Sequence, residues 1–203
     1  MTGAVTTLVL AFLPFAISMS FTPGPNNLML ATAGARFGFA RTLPHQCGVV
    51  LGFAVMTLTV GLGVAGLIKA APLLYSVMKF MSLLYLVYLA WRTATAEKVK
   101  SAQTPQRPMS FLQAAAFQWI NPKGWIIALS AMTAFTIRGL DAWLQVLVIT
   151  VVLAIVGVAS TSTWAVFGLM ISRYLTTPRR RTVFNWTMAA LLIVSVAPVL
   201  LER

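Results

Sequence analysis

One short stretch late in the first apolar run decides the fold: Phe21-Thr22-Pro23-Gly24-Pro25-Asn26-Asn27. Proline removes a helical N–H and opposes the preceding turn, and glycine adds backbone freedom, so a helix that enters this stretch must break. The apolar run around it, about residues 5–35, is also too long. At about 1.5 Å per residue it exceeds a hydrocarbon core of roughly 30 Å. The sequence therefore predicts a membrane helix that is broken at Pro23–Pro25.

A second stretch of the same kind, Ile120-Asn121-Pro122-Lys123-Gly124, interrupts the fourth apolar run. Each break should leave backbone groups unpaired, and lipid cannot satisfy them, so they must face protein or a water-filled cavity. Paired Gly/Pro interruptions in two halves of a membrane protein indicate a transporter's substrate site. A purely architectural kink at each place is the alternative. The predicted substrate-binding residues are Pro23, Gly24, Pro25, Asn26, Asn27, Asn121, Pro122 and Lys123.

Composition excludes a water-soluble domain. The chain is 59% hydrophobic and 9% charged, whereas a soluble domain carries about 25% charged residues. Apolar runs long enough to span a bilayer occur at about residues 5–35, 45–68, 72–91, 111–135, 142–171 and 183–201. The predicted fold is an all-α membrane protein of six transmembrane helices in which helices one and four are broken. The fifth run is also over-long and must tilt, bend or break.

The predicted helices form two groups of three within a single transmembrane domain, residues 1–203. The polar segment 92–110 reads as a cytoplasmic linker between a first repeat, residues 3–91, and a second repeat, residues 111–203. Because three is an odd number, a second repeat must cross the membrane in the direction opposite to the first. The sequence thus predicts two inverted three-helix repeats.

Basic residues lie almost wholly between the apolar runs. The formal net charge is +12, but this placement fits membrane loops and excludes a nucleic-acid partner. By the positive-inside rule the richer loops are cytoplasmic and both termini are periplasmic. For Arg179–Arg181, the alternative to a topology anchor is specific recognition of lipid. The residues of the richer loops are Arg36, Arg41, Arg92, Lys98, Lys100, Arg107, Arg173, Arg179, Arg180 and Arg181.

Titratable groups inside the predicted spans are scarce. Lys123 lies within the fourth run, where a charge is expensive and normally faces a cavity or a partner; snorkelling to the interface is the alternative. His45 begins the second run at the cytoplasmic side. If transport is coupled to protons, Lys123 and His45 are the candidates, and an interfacial histidine without an assigned role is the alternative for His45. Asp141 is expected to cap a helix or pair with Arg138, and a gating role is the alternative.

Two further patterns concern packing. Gly48 and Gly52 form a Gly-x-x-x-Gly pair that permits close approach of helix backbones. Ser160-Thr161-Ser162-Thr163 places hydroxyls inside the fifth run, where they can bond to carbonyls of the preceding turn or line a transport path.

The same residues argue against an enzyme. None of the three acids lies well inside a span, and His45 is the one histidine, so a membrane protease or hydrolase lacks its catalytic groups. With one cysteine, Cys47, neither an internal disulfide nor a cysteine-based metal cluster can form. We expect no metal and no cofactor. A non-transporting structural or assembly subunit is the remaining rival, but it offers no reason for two matched breaks.

At the level of motifs the sequence resembles the LysE/RhtB superfamily of bacterial amino-acid exporters. The resemblance rests on Thr22-Pro23-Gly24-Pro25-Asn26-Asn27, on Asn121-Pro122-Lys123 and on Tyr85-Leu86-Val87-Tyr88-Leu89. Within the superfamily, the stretch Phe117–Lys123 looks most like the branch that exports cysteine and O-acetylserine. The sequence departs from the family at Ser82, Ala90 and Ala114, where glycine is frequent.

The resemblance implies a secondary active exporter that moves a small amino acid or derivative from the cytoplasm to the periplasm and is driven by the proton gradient. It also implies a multi-pass protein of the bacterial inner membrane. The oligomeric state is open, with a homodimer as one option.

Overall fold

A computed structural model describes residues 2–64, 80, 84, 87–91, 93–95, 107–135, 137 and 140–194. The regular structure within these ranges is helical, which confirms the all-α prediction. The helices are α1 (Thr2–Phe21), α2 (Pro25–Phe37), α3 (Phe39–Thr59), α4 (Phe111–Ile120), α5 (Pro122–Ala134), α6 (Ala142–Ser172) and α7 (Pro178–Val194). A π-helical turn, Val60–Val64, extends α3.

Three segments in the described ranges are long and apolar enough to cross a membrane: Thr2–Phe21, Phe39–Gly63 and Ala142–Ser172. The arrangement as six spans in two inverted repeats remains a prediction. Several segments that this prediction concerns lie outside the described residues. They are most of the third run with Ser82, Tyr85 and Leu86, most of the 92–110 linker and the end of the sixth run.

Both predicted helix breaks are present. α1 ends at Phe21 and α2 begins at Pro25, while Gly24 between them is extended, with φ −166° and ψ 177°. α4 ends at Ile120 and α5 begins at Pro122 after an extended Asn121. Each proline occupies the first position of a new helix, where its missing N–H costs nothing. The fifth run, in contrast, is one unbroken helix of 31 residues, so at roughly 46 Å it must tilt or project from the bilayer.

The predicted start of the second span at His45 is wrong. α3 begins at Phe39, and Pro44 lies inside it. A proline this close to a helix start removes only one backbone hydrogen bond, so the helix continues through it. His45 therefore lies in the second turn of α3 and is buried in the bundle, with 1% of its surface exposed.

The predicted start of the sixth span is likewise wrong. α7 begins at Pro178, so Arg179–Arg181 form its first turn rather than a loop. Proline is favoured at this first position, and the Thr177 hydroxyl accepts a hydrogen bond from the Arg180 N–H at 3.3 Å. Local capping chemistry thus extends the helix through three charged residues.

Small residues bring the helices together at two places. Gly48 and Gly52 of α3 pack on α4, where an added Cβ at Gly52 would lie 2.5 Å from Ala115 Cα; the predicted packing role is confirmed. The second place was not foreseen. Gly34 of α2 and Gly168 of α6 approach each other's helix so closely that an added Cβ on either would overlap the backbone of Ala165 or Ala31.

The long helix α6 lies at the centre of the described part of the bundle, because it packs against α1, α2 and α3. Leu8, Phe12 and Ala16 of α1 share one buried cluster with Ile149 and Leu153 of α6. Asp141 accepts a hydrogen bond from the Leu144 N–H at 2.8 Å and so caps α6, as expected. The packing of these helices on α6 holds the two breaks at the same level of the bundle.

The close α2–α6 contact yields a stability test. We expect Gly168→Ala to lower the free energy of unfolding by about 1–3 kcal/mol, because the new methyl group must displace the α2 backbone. Thermal unfolding of the purified protein in detergent measures the change. Gly157→Ala in the same helix is the matched control, since its Cβ would meet only Val50 Cγ2 at 3.7 Å. Equal stability of the two variants would contradict the close contact.

Candidate functional site

The two helix breaks meet in space. The ammonium group of Lys123, at the start of α5, donates a hydrogen bond of 2.6 Å to the carbonyl oxygen of Thr22 in the first break. The Lys123 side chain also covers Gly24, where an added Cβ would lie 2.8 Å from Lys123 Cδ. A side chain at position 24 would have to displace the lysine stem, so the glycine makes room for it.

A reciprocal amide pair joins the segments beside the breaks. Asn26 Nδ2 donates to Gln118 Oε1 at 2.8 Å, and Gln118 Nε2 donates back to Asn26 Oδ1 at 3.2 Å. Gln118 also donates to the Ala114 carbonyl at 2.8 Å and is fully buried. Sequence reasoning missed Gln118 as a site residue. The one feature of the sequence that could have identified Gln118 is its place in an apolar helix, one turn before Asn121-Pro122.

Side chains from other elements satisfy the carbonyl groups at the end of α1. Asn27 Nδ2 donates to the carbonyls of Ser20 at 2.8 Å and Thr22 at 3.0 Å. Ser160 of α6 donates to the Ser20 carbonyl as well, at 2.7 Å. Asn27 thus has a structural role, because its side chain satisfies two carbonyl groups of the first break.

The second break is satisfied in the same manner. Asn121 Oδ1 accepts from the Lys123 N–H at 3.2 Å and so caps α5. Trp125 Nε1 donates to the Trp119 carbonyl at 2.9 Å, near the end of α4. Asn121 Nδ2 makes no hydrogen bond within the described residues, so its N–H donors remain free.

A cavity lies where the breaks meet. Counted over positions open to the centre of a water molecule, its volume is about 70 Å³. Because about 10–15 Å³ on this measure holds one water molecule, the cavity has room for several, or for one small solute. Of the predicted site residues, Gly24, Pro25, Asn26, Asn27, Asn121 and Lys123 line it, whereas Pro23 and Pro122 do not.

The walls of the cavity come from α3 and α6 as well. Val49, Val50 and Phe53 of α3 supply apolar surface, and Ser160 and Thr161 of α6 supply hydroxyls. The predicted backbone bonding of the Ser160–Thr163 run is confirmed in part, and lining of a transport path stays a prediction. Thr161 and Thr163 bond to carbonyls of their own helix, while Ser160 and Thr161 also face the cavity.

The electrostatics of the cavity favour a negatively charged group. Lys123 is the one charged side chain among the lining residues of the described part. The N-terminal ends of α2 and α5 both border the cavity, and each helix N-terminus carries a partial positive charge. α2 has no side-chain cap on its first turn. A carboxylate is the kind of group that such a site attracts.

His45 does not line this cavity. It lies one helical turn from Val49, which does. Neither ring nitrogen has a hydrogen-bond partner in the part of the chain that the structure describes. Its neighbour Gln46 donates to Thr42 Oγ1 at 3.0 Å and accepts from Ser162 Oγ at 3.2 Å. Buried polar groups thus continue from the cavity along α3 toward its start.

The amide pair can be tested by a double-mutant cycle. Asn26→Ala and Gln118→Ala should each lower the free energy of unfolding by about 1–3 kcal/mol, because each leaves a buried amide unsatisfied. The double variant should lose less than the sum of the two, with a coupling of at least about 0.5 kcal/mol. Thermal unfolding in detergent measures all four proteins. The control cycle pairs Asn26→Ala with Gln113→Ala, an exposed capping residue, and should be additive; additivity in both cycles would contradict the pair.

Comparison with known proteins gives a consistent result. The model of the LysE type translocator family matches residues 17–202. A cysteine/O-acetylserine efflux protein of Escherichia coli O139:H28 (strain E24377A / ETEC) is 29% identical over 188 residues, 92% of this chain and 94% of that protein. The proteins of the same name from Escherichia coli strain K12 and Salmonella choleraesuis strain SC-B67 are 29% and 27% identical, over 82% of this chain and 85% of each. No solved structure matches the chain. The chain belongs to the LysE family of translocators, and it is a multi-pass membrane protein.

Proposed function

We propose that this protein is a secondary active exporter that moves a small amino acid or amino-acid derivative from the cytoplasm to the periplasm, driven by the proton gradient. The observation that carries the proposal is the cavity between the two broken helices, into which Lys123 projects. The names of the curated relatives, which are efflux proteins for cysteine and O-acetylserine, support a cargo of this class and size.

In this proposal Lys123 and the two helix N-termini bind the cargo's carboxylate. In the structure the Lys123 ammonium donates to the Thr22 carbonyl. A carboxylate is a stronger acceptor than a neutral carbonyl, because both partners are then charged. Cargo binding therefore exchanges the Thr22 contact of Lys123 for a contact with cargo, and it leaves the Thr22 carbonyl bonded to Asn27.

The hydroxyl groups of α6 supply the complementary half of the site. Ser160 and Thr161 carry acceptor lone pairs for a cargo ammonium group. The described lining residues hold no carboxylate, so a second positive charge on the cargo would be desolvated without a partner. The proposed cargo is accordingly a zwitterion with an uncharged side chain, and lysine or arginine is a poor substrate.

The proposal also specifies the membrane, the orientation of the protein in it and the direction of transport. We place the protein in the bacterial inner membrane with both termini in the periplasm, because arginines gather at the α2–α3 and α6–α7 connections. Cargo then enters from the arginine-rich side. A non-transporting assembly subunit is the alternative, and it accounts for apolar helices but not for a polar cavity at matched breaks. We propose no enzymatic role, and a homodimer is one form that the exporter could take.

Efflux measurements test the site. Lys123→Ala and Asn121→Ala should each reduce efflux of cysteine or O-acetylserine at least about tenfold, since a charge-assisted hydrogen bond contributes roughly 1.5–3 kcal/mol. Radiolabelled cargo is followed as it leaves loaded cells that express each variant. Equal amounts of each variant in the membrane fraction establish that insertion is intact.

Arg41→Ala, an exposed arginine near the start of α3, is the control and should export like the wild type. Unchanged efflux in both site variants would refute the assigned site. A wild type that exports none of the small amino acids tested would favour the assembly subunit.

Proton coupling is tested separately at His45, which the proposal assigns together with Lys123 as a proton-exchanging group. His45→Gln keeps the side-chain volume and its hydrogen-bonding capacity but cannot be protonated near neutral pH. In proteoliposomes, net cargo movement should lose its acceleration by an imposed pH gradient, while exchange of labelled for unlabelled cargo continues. A variant that responds to the gradient like the wild type would exclude His45 from coupling and leave Lys123.

A further inference from the structure

A second cavity lies between the end of α6 and the start of α7, away from the cavity at the breaks. Ile171, Leu175, Val183 and Phe184 form its apolar wall, and Arg179 and Arg180 form its charged edge. Its volume, counted over positions open to the centre of a water molecule, is about 540 Å³. It is an open groove, so an occupant would rest against the apolar wall and stay exposed on its outer side.

Backbone contacts fix the position of two of the arginines. Arg181 Nε donates to the Leu175 carbonyl at 2.8 Å, and Arg180 Nη1 donates to the Tyr174 carbonyl at 3.3 Å. Both carbonyls follow the end of α6, where unpaired carbonyls and the helix dipole attract cations. Arg179 makes no hydrogen bond within the described ranges, so its guanidinium group is available to a ligand at the edge of the cavity.

Within the residues that the structure describes, no acid offsets the positive charge around this cavity. Four arginines occur between residues 173 and 181. The one acid in the described part of the chain, Asp141, caps the opposite end of the 31-residue helix α6. A topology signal needs only the positive charge. It does not account for an apolar hollow that the arginines help to line, and that combination fits a ligand with an anionic head and an apolar body.

We propose that this cavity binds an anionic phospholipid. Arg179 and the free donors of Arg180 bind the phosphate, because a planar guanidinium group matches phosphate oxygens in a bidentate manner. An acyl chain lies along Ile171, Val183 and Phe184. The site is at the end of a membrane-crossing helix, where lipid head groups are at hand. Basic pockets between such helices are suited to anionic head groups.

The bound lipid would stabilise the packing of the helices around the cavity at the breaks. Phe184 belongs to the same buried cluster as Leu28 and Met29 of α2. An occupant that fills the space beside Phe184 therefore holds α7 against α2, whose first turn lines the cavity at the breaks. The proposal itself concerns lipid binding and stands apart from the identity of the cargo.

Thermal unfolding of the delipidated protein in detergent tests the proposal. Phosphatidylglycerol should raise the midpoint temperature in a saturable manner. Phosphatidylethanolamine with the same acyl chains should raise it less, and inorganic phosphate alone should leave it unchanged. Equal effects of the two lipids would overturn the proposal, and so would a full effect of phosphate alone, which would indicate a site for a free anion.

Variants locate the effect. Arg179→Ala should weaken the apparent affinity for phosphatidylglycerol about fivefold, the loss expected for one arginine at a lipid surface, without changing the lipid-free midpoint. Val183→Asp, which adds a carboxylate to the apolar wall, should weaken it at least as much. Arg41→Ala is the matched control and should bind lipid like the wild type. An Arg179→Ala variant indistinguishable from Arg41→Ala would refute the site.

Discussion

The structure depends on one constraint: lipid offers no hydrogen bonds, so the backbone groups that a broken helix exposes must find partners within the protein. At the first break those partners are Asn27, Ser160 and Lys123, which come from α2, α6 and α5. The break therefore organises its surroundings, because three elements must converge on it. The cavity is a product of this convergence, since the converging groups are polar and fill the space incompletely.

The positions of the breaks were predictable because they follow from local chemistry. Pro23–Pro25 and Asn121-Pro122 interrupt a helix whatever surrounds them. The partners of the freed groups were not predictable, because they depend on which helices lie side by side. Gln118 illustrates the difference: its amide pairs with Asn26, 92 residues away in the chain. Nothing local to position 118 indicates that partner.

Helix boundaries were predicted less well than helix breaks, and both errors have one cause. Hydropathy marks where apolar residues begin, whereas a helix begins where its first N–H groups find acceptors. α3 starts six residues before His45, in sequence that Arg41, Thr42 and Pro44 interrupt, and α7 starts five residues before Val183, in charged sequence. The correction changes the meaning of the residues involved. His45 becomes a buried group, and Arg179–Arg181 become a helix turn with a defined orientation.

Gly24 and Lys123 occupy what is in effect a single volume, because the lysine stem fills the space that a side chain at position 24 would need. Natural variation at one position is consequently tied to variation at the other. A relative with a larger residue at position 24 must carry a shorter side chain at position 123 or place that side chain elsewhere. A relative without the lysine at position 123 no longer needs glycine at position 24. The two positions should therefore covary across the family, although one lies in the first break and the other in α5.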